Sequence, residues 1–100
     1  MTFSDPLFDA ILRGDEPSVA SEIERLLTVG FSADDILHKH CIPASQEAKR
    51  SFEQGVFYVP ELLIALRSYQ ATLEILRPHL IAQTYQQALS YGEFDISCHL

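Results

Sequence analysis

Residues 52–66, FEQGVFYVPELLIAL, constrain the fold of this chain more than any other stretch. Gly55 can take the positive φ that closes a helix, and Pro60 has a fixed φ suited to the first turn of the next one. The stretch is therefore a corner between two helices. Phe57, Tyr58 and Val59 stand at that corner, large apolar residues where a surface loop ordinarily places polar groups. A hydrophobic staple, with the corner folded back on its own bundle, would cover them. The residues that follow ask for more. Leu62, Leu63, Ile64, Ala65 and Leu66 are consecutive, and such a helical run sweeps more than one turn, so it cannot all face one core. The helix is expected to contact something on a second side.

The rest of the chain supplies the helices that the corner joins. Asp5-Pro6 pairs an N-cap side chain with a proline at the first helical position, and Leu7, Phe8, Ile11 and Leu12 recur at helical spacing up to Gly14. Asp15-Glu16-Pro17 opens a second helix whose apolar stripe is Val19, Ile23, Leu26 and Leu27, ending at Gly30. Ser32-Ala33-Asp34-Asp35 starts a third that runs to about residue 53, with Leu37, Cys41, Ala44, Ala48 and Phe52 on one face. Pro43 falls inside it and should kink it, because proline offers no N–H to the carbonyl of Lys39. The fourth spans residues 60–77, and Pro78 breaks it. Helical character returns over residues 79–89 and stops near Gly92; the tail GEFDISCHL reads as a linker, a short strand or a disordered end. The sequence thus predicts an all-α protein, a four-helix bundle with a C-terminal helical extension. Its parts divide as 1–78 for the bundle and 79–100 for the extension or linker.

A helical chain of 100 residues can bury enough apolar surface to fold without a metal or disulfide. The net charge of −7 and the scattered basic residues speak against nucleic acid and against anionic membranes. No apolar run approaches the length of a membrane span, the N-terminus MTFSDP lacks a basic n-region, and two unpaired-looking cysteines fit a reducing cytoplasm. His38, His40 and Cys41 lie close in sequence, but on a helix only His38 and Cys41 share a face, too few ligands for zinc. His79 and His99 lack any ligand context. No nucleophile elbow, phosphate loop or Cys-x-x-Cys is present, so neither a catalytic residue nor a metal ligand is assigned.

Several pieces in a fixed order carry a resemblance: Leu12-Arg13-Gly14-Asp15, Val29-Gly30-Phe31-Ser32, Ile42-Pro43-Ala44, the corner with its Pro60-Glu61-Leu62, and Ile75-Leu76-Arg77-Pro78. Over residues 7–80 the chain resembles the helical cap domain that precedes the cobalamin-binding domain in corrinoid proteins of methyltransferase systems, and the cap of cobalamin-dependent methionine synthase. The resemblance implies a corner lying over the upper, methyl-bearing face of the corrinoid. It also makes Tyr58, Leu62, Ala65 and Tyr69 the cofactor-facing residues, on the premise that Tyr58 and Tyr69, nearly three helical turns apart, share one side of the fourth helix. Three positions depart from the family pattern: Lys49 replaces a glycine, Val56 an acidic residue, and Tyr69 a methionine. The α/β domain with the cobalt-ligating Asp-x-His-x-x-Gly motif does not occur in these residues.

The expectation is then a non-catalytic cap in methyl transfer, binding cobalamin only together with that additional domain. Its partners would be the cobalamin-binding α/β domain or a methyltransferase, with a homodimer as a further possibility. The alternative is a cofactor-free helical interaction module that uses the same apolar corner for protein binding or dimerisation.

Overall fold

The computed structural model of the chain describes residues 5–93, so the tail from residue 94, including Cys98 and His99, lies outside the described residues. The elements are α1 Pro6–Arg13, α2 Glu16–Val29, α3 Ala33–Ile36, a π-helical segment Leu37–Cys41, α4 Ile42–Glu53, α5 Val59–Leu76, a 3-10 turn Arg77–His79, and α6 Ala82–Ser90. No strand occurs among the described residues. The bundle is all-helical, and α3, the π segment and α4 form the single long rod expected from Ser32 to the corner.

The starts of α1, α2 and α3 are each fixed by a short polar side chain. Asp5 accepts from the Phe8 N–H at 3.1 Å, and Ser32 Oγ from the Asp35 N–H at 3.1 Å. Asp15 accepts from the Ser18 N–H at 3.4 Å and from its hydroxyl at 2.7 Å. The Ser18 hydroxyl first, and then its N–H, hold the Asp15 carboxyl below its ordinary value.

Pro43 acts one turn earlier than a simple kink would. The helix ahead of it widens into the π segment, where the Ile42 N–H reaches back to Leu37 O. The wide turn accommodates the missing proline donor without ending the rod.

The helix α5 is the central member. Its first half contributes Leu62, Ala65 and Leu66 to a cluster with Ala48, against which Leu12, Phe52 and Phe57 pack. Its second half places Tyr69, Leu73 and Leu76 in a larger cluster with Leu7 and Ile11 of α1, Ile23 of α2, and Ile36 and Cys41 of the rod. Burial pushes the Cys41 thiol well above its ordinary value, as expected for a packing cysteine. The extension is part of this core, because Tyr85 and Ala88 of α6 belong to the same cluster.

Two glycines separate backbone strain from packing. Gly14 (φ 75) closes α1 where it meets α5, and a Cβ there would stand 2.1 Å from Ile64 Cγ2. Gly55 (φ 81) closes α4, with nothing within 4 Å of such a Cβ. In urea denaturation, Gly55→Ala should therefore cost about 1 kcal/mol from the left-handed backbone alone, and Gly55→Val somewhat more. Gly14→Ala should add overpacking and total about 3 kcal/mol; equal losses at the two sites would refute the packing account.

Acid titration gives a second check. Because the folded Asp15 pKa is depressed, its contribution is complete above the unfolded carboxylate value and disappears as pH falls through the folded one. Asp15→Asn should flatten the acid limb of a stability profile relative to the unsubstituted chain.

Candidate functional site

The turn from α4 into α5 is built on one acceptor. The N–H groups of Val56 and Phe57 both donate to Ser51 O, at 2.8 and 2.9 Å, and the Gly55 N–H donates to Phe52 O at 3.1 Å. The chain then extends at Tyr58, whose ψ of 172 leaves the helical phase. Glu61 reaches back and accepts the Tyr58 N–H at 2.8 Å, fixing the entry to α5.

This geometry divides the corner residues. Phe57 turns inward against the Leu62 cluster, as a staple would. Tyr58 is 74% exposed and Val56 66% exposed. On α5, Leu62, Ala65 and Leu66 face the interior while Leu63 and Ile64 remain on the surface, so the helix does present apolar groups on a second side.

Of the four residues singled out in the sequence, the structure separates one from three. Tyr58 lies outside, whereas Leu62, Ala65 and Tyr69 are essentially without solvent exposure in the domain's own core. The shared side expected for Tyr58 and Tyr69 is thereby corrected, because Tyr58 is an extended N-cap residue and does not continue the helical phase. Tyr69 instead donates its hydroxyl to Ala88 O of α6 at 2.7 Å. Burial raises its phenol pKa well above the ordinary value.

Beside the corner, α1 and the start of α5 enclose an open groove of about 510 Å³, lined by Asp9, Leu12, Arg13, Phe57, Glu61 and Ile64. Leu12, Phe57 and Ile64 make it apolar; Asp9, Arg13 and Glu61 give it charge of both signs. The Arg13 guanidinium stands 3.8 Å from the Asp15 carboxylate with both groups exposed, a contact too weak to hold it. Asp9, Leu12 and Arg13 were not singled out as site residues from the sequence. Their spacing of three and four residues put them near one face of α1, but nothing in one dimension showed that this face would meet the corner.

The histidines do not converge. His38 Nδ1 donates to Asp34 O at 2.9 Å, while His40 Nδ1 pairs with Asp5 Oδ2 at 2.6 Å. His79 lies exposed in the 3-10 turn. Among the described residues, no group of three or more His, Cys, Asp or Glu side chains is placed to hold a metal ion. No helix among them is long and apolar enough to cross a membrane.

Comparison with known proteins adds the following. Residues 4–77 match a family model described as B12 binding domain. Over 72 residues the chain is 29% identical to trimethylamine corrinoid protein 1 of Methanosarcina acetivorans, covering 72% of this chain and 33% of that protein. It is 28% identical to trimethylamine corrinoid protein 1 of Methanosarcina mazei over the same extent. The chain thus spans about a third of the length of the curated relatives it matches. No solved structure matches it. The helix α6 lies beyond the matched segment.

Stability measurements check the division of the four residues. Tyr58→Ala should change unfolding free energy by less than about 0.5 kcal/mol, as at exposed sites. Leu62→Ala should cost about 2 to 4 kcal/mol. Tyr69→Phe should cost about 0.5 to 1.5 kcal/mol, the net value of one hydrogen bond, because Ala88 O keeps the Tyr91 N–H at 3.2 Å. A Tyr58→Ala loss as large as that of Leu62→Ala would contradict the assignment.

Proposed function

The chain belongs to the B12 binding domain family, and on that premise we propose that it is the helical cap of a corrinoid protein in methyl transfer: a non-catalytic domain that covers the upper face of the corrinoid when joined to a cobalamin-binding α/β domain. The observation that carries this reading is the corner itself. Tyr58 stands out from the surface on a rigid turn beside an apolar groove, whereas Tyr69 of α5 is locked inside.

The available side chains suit a cover. Tyr58, Val56 and Ile64 offer exposed apolar surface, suited to van der Waals contact with a methyl-bearing face and to exclusion of water. Leu62, Ala65 and Tyr69 contribute from beneath, by holding the helix on which the corner is mounted. Nothing at the corner is a cobalt ligand, so the residues fit a role on one face only. Bound, the corrinoid supplies the methyl-transfer chemistry; this chain positions and shields.

The functional boundary lies at residue 78 in this reading, with 1–78 as the cap and 79–100 as an extension whose helix α6 buttresses α5. The partners are the α/β domain and the methyltransferase that the cap admits when it moves aside, in a reducing cytoplasm. A second copy of the chain is the further partner that an exposed corner accepts. The name of the curated relatives, corrinoid proteins, supports the cofactor class.

Contact through one face must still offset several kcal/mol of lost rigid-body freedom. The chain alone should therefore not retain cobalamin in calorimetric titration. It should bind a cobalamin-loaded α/β domain of a corrinoid protein, and Tyr58→Asp should weaken that binding at least about tenfold. Micromolar or tighter binding of free cobalamin to the chain alone would overturn the need for the second domain. Equal binding by Tyr58→Asp would overturn the role of the corner.

A further inference from the structure

Of the two apolar residues that α5 leaves on its surface near the corner, Ile64 lines the corner groove and Leu63 does not. Leu63 is 43% exposed and, with Leu66, Arg67, Gln70 and Gly92, lines a separate shallow groove of about 220 Å³. Leu63, Arg67 and Gln70 are spaced four and three residues apart, so this groove follows one stripe of α5 for about 10 Å.

Gly92 fixes where the chain meets the groove. Its carbonyl accepts from Gln70 Nε2 at 3.3 Å, and a Cβ there would stand 3.1 Å from Tyr69 Cδ2, so the backbone lies directly on α5. The next residue gives the direction. Burial lowers the Lys49 pKa while the Glu93 carboxylate acts in the opposite sense, which sets Glu93 toward Lys49 of α4. Lys49 follows Ala48, and Ala48 packs with Leu62, Ala65 and Leu66. From Gly92 the chain is therefore aimed along the groove, from Gln70 toward Leu63.

We propose that this groove is the seat of the chain's own residues 94–97, laid along α5 as an extended segment, with Phe94 and Ile96 on Leu63 and Leu66 and with Asp95 beside Arg67. The sequence supplies the pattern. Phe94, Ile96 and Cys98 alternate with Asp95, Ser97 and His99, which gives an extended chain one apolar face. At about 3.3 Å per residue, three residues past Glu93 cover the length of the groove. Charge agrees with the pattern. Arg67 makes no ion pair among the described residues, and Asp95 brings the opposite sign on a chain that is acidic elsewhere.

The size of the groove selects the same occupant. A helix with its side chains is about 10 to 12 Å across, too wide for so shallow a channel. A separate peptide would have to offset its lost rigid-body freedom with very little surface. A segment tethered at Gly92 has no such cost to meet. Seated in this way, the segment carries the chain toward the corner end of α5. On the cap reading that is the end that meets the corrinoid-bearing domain; this consequence rests on that reading, whereas the seating itself does not.

The test contains no corrinoid, so the seating and the cap reading can fail separately. In nuclear Overhauser spectra of the full chain, the Phe94 ring and the Ile96 methyls should show cross-peaks to the Leu63 and Leu66 methyls. Phe94→Ser combined with Ile96→Ser should abolish contact between the segment and α5 while the cross-peaks between Tyr85 and α5 persist, which shows that the bundle and α6 remain folded. Arg67→Glu sets a like charge beside Asp95 and should weaken the Phe94 and Ile96 cross-peaks about threefold. Arg67→Glu with Asp95→Arg should restore them, because the pair is remade with signs reversed. Absence of any cross-peak from residues 94–97 to α5 overturns the proposal. So do cross-peaks to Leu63 that arise between molecules and grow with concentration, which would give the groove to a second copy. An exchanged pair no better than Arg67→Glu alone overturns the contact between Asp95 and Arg67.

Discussion

Gly14 brings the end of α1 so near α5 that a single added carbon would stand 2.1 Å from Ile64 Cγ2, and the upper half of the molecule is arranged around that crossing. Because α1 comes this close, Leu12 can pack on the Leu62 cluster, and Asp9 and Arg13 form one wall of the groove. The other wall is the corner, set by the convergence of two N–H groups on Ser51 O and by the bond from Tyr58 to Glu61. The candidate surface is therefore an arrangement of two rigid helix ends, which suits the proposed role of a cover.

The far end of α5 is held differently. Tyr69 reaches Ala88 O, Gln70 donates to Gly92 O at 3.3 Å, the Tyr85 hydroxyl bonds the Glu74 carboxylate, and the Arg77 guanidinium lies 4.9 Å from the Tyr85 ring centroid. That bond to Glu74 raises the Tyr85 phenol pKa. These contacts tie α6, which lies past the family-matched segment, to the helix on which the corner is mounted. They also account for one departure from the family pattern. Where the resemblance led one to expect a methionine, this chain has Tyr69, and its hydroxyl is the group that meets α6. A thioether could fill the same space but could not donate to a buried carbonyl. Val56, where the resemblance led one to expect an acidic residue, instead enlarges the exposed apolar corner.

Legibility differed along the chain for physical reasons. Caps and glycines act within a few residues of themselves, so the starts at Asp5, Asp15 and Ser32 and the stops at Gly14, Gly30 and Gly55 could be read directly. The disturbance at Pro43 was legible too, but not its form, because a kink and a π turn both relieve the same missing donor. The candidate site was legible only in part. An exposed Tyr58 follows from its place in the turn, while the burial of Tyr69 depends on a helix nearly twenty residues away.

The sequence by itself determined an all-helical bundle, a corner at residues 55–60, and membership of a corrinoid-associated family, because each is written in local periodicity and in the order of short motifs. Only the tertiary structure decided which side of α5 faces inward, that α1 supplies the second wall of the groove, and that the extension joins the core. The reason is the period of the helix. Five consecutive apolar residues occupy more than one full turn, so the pattern of residues 62–66 admits more than one inward face. The choice among them was made by the partners, Gly14 on one flank and Ala48 on the other, through how closely their helices could approach.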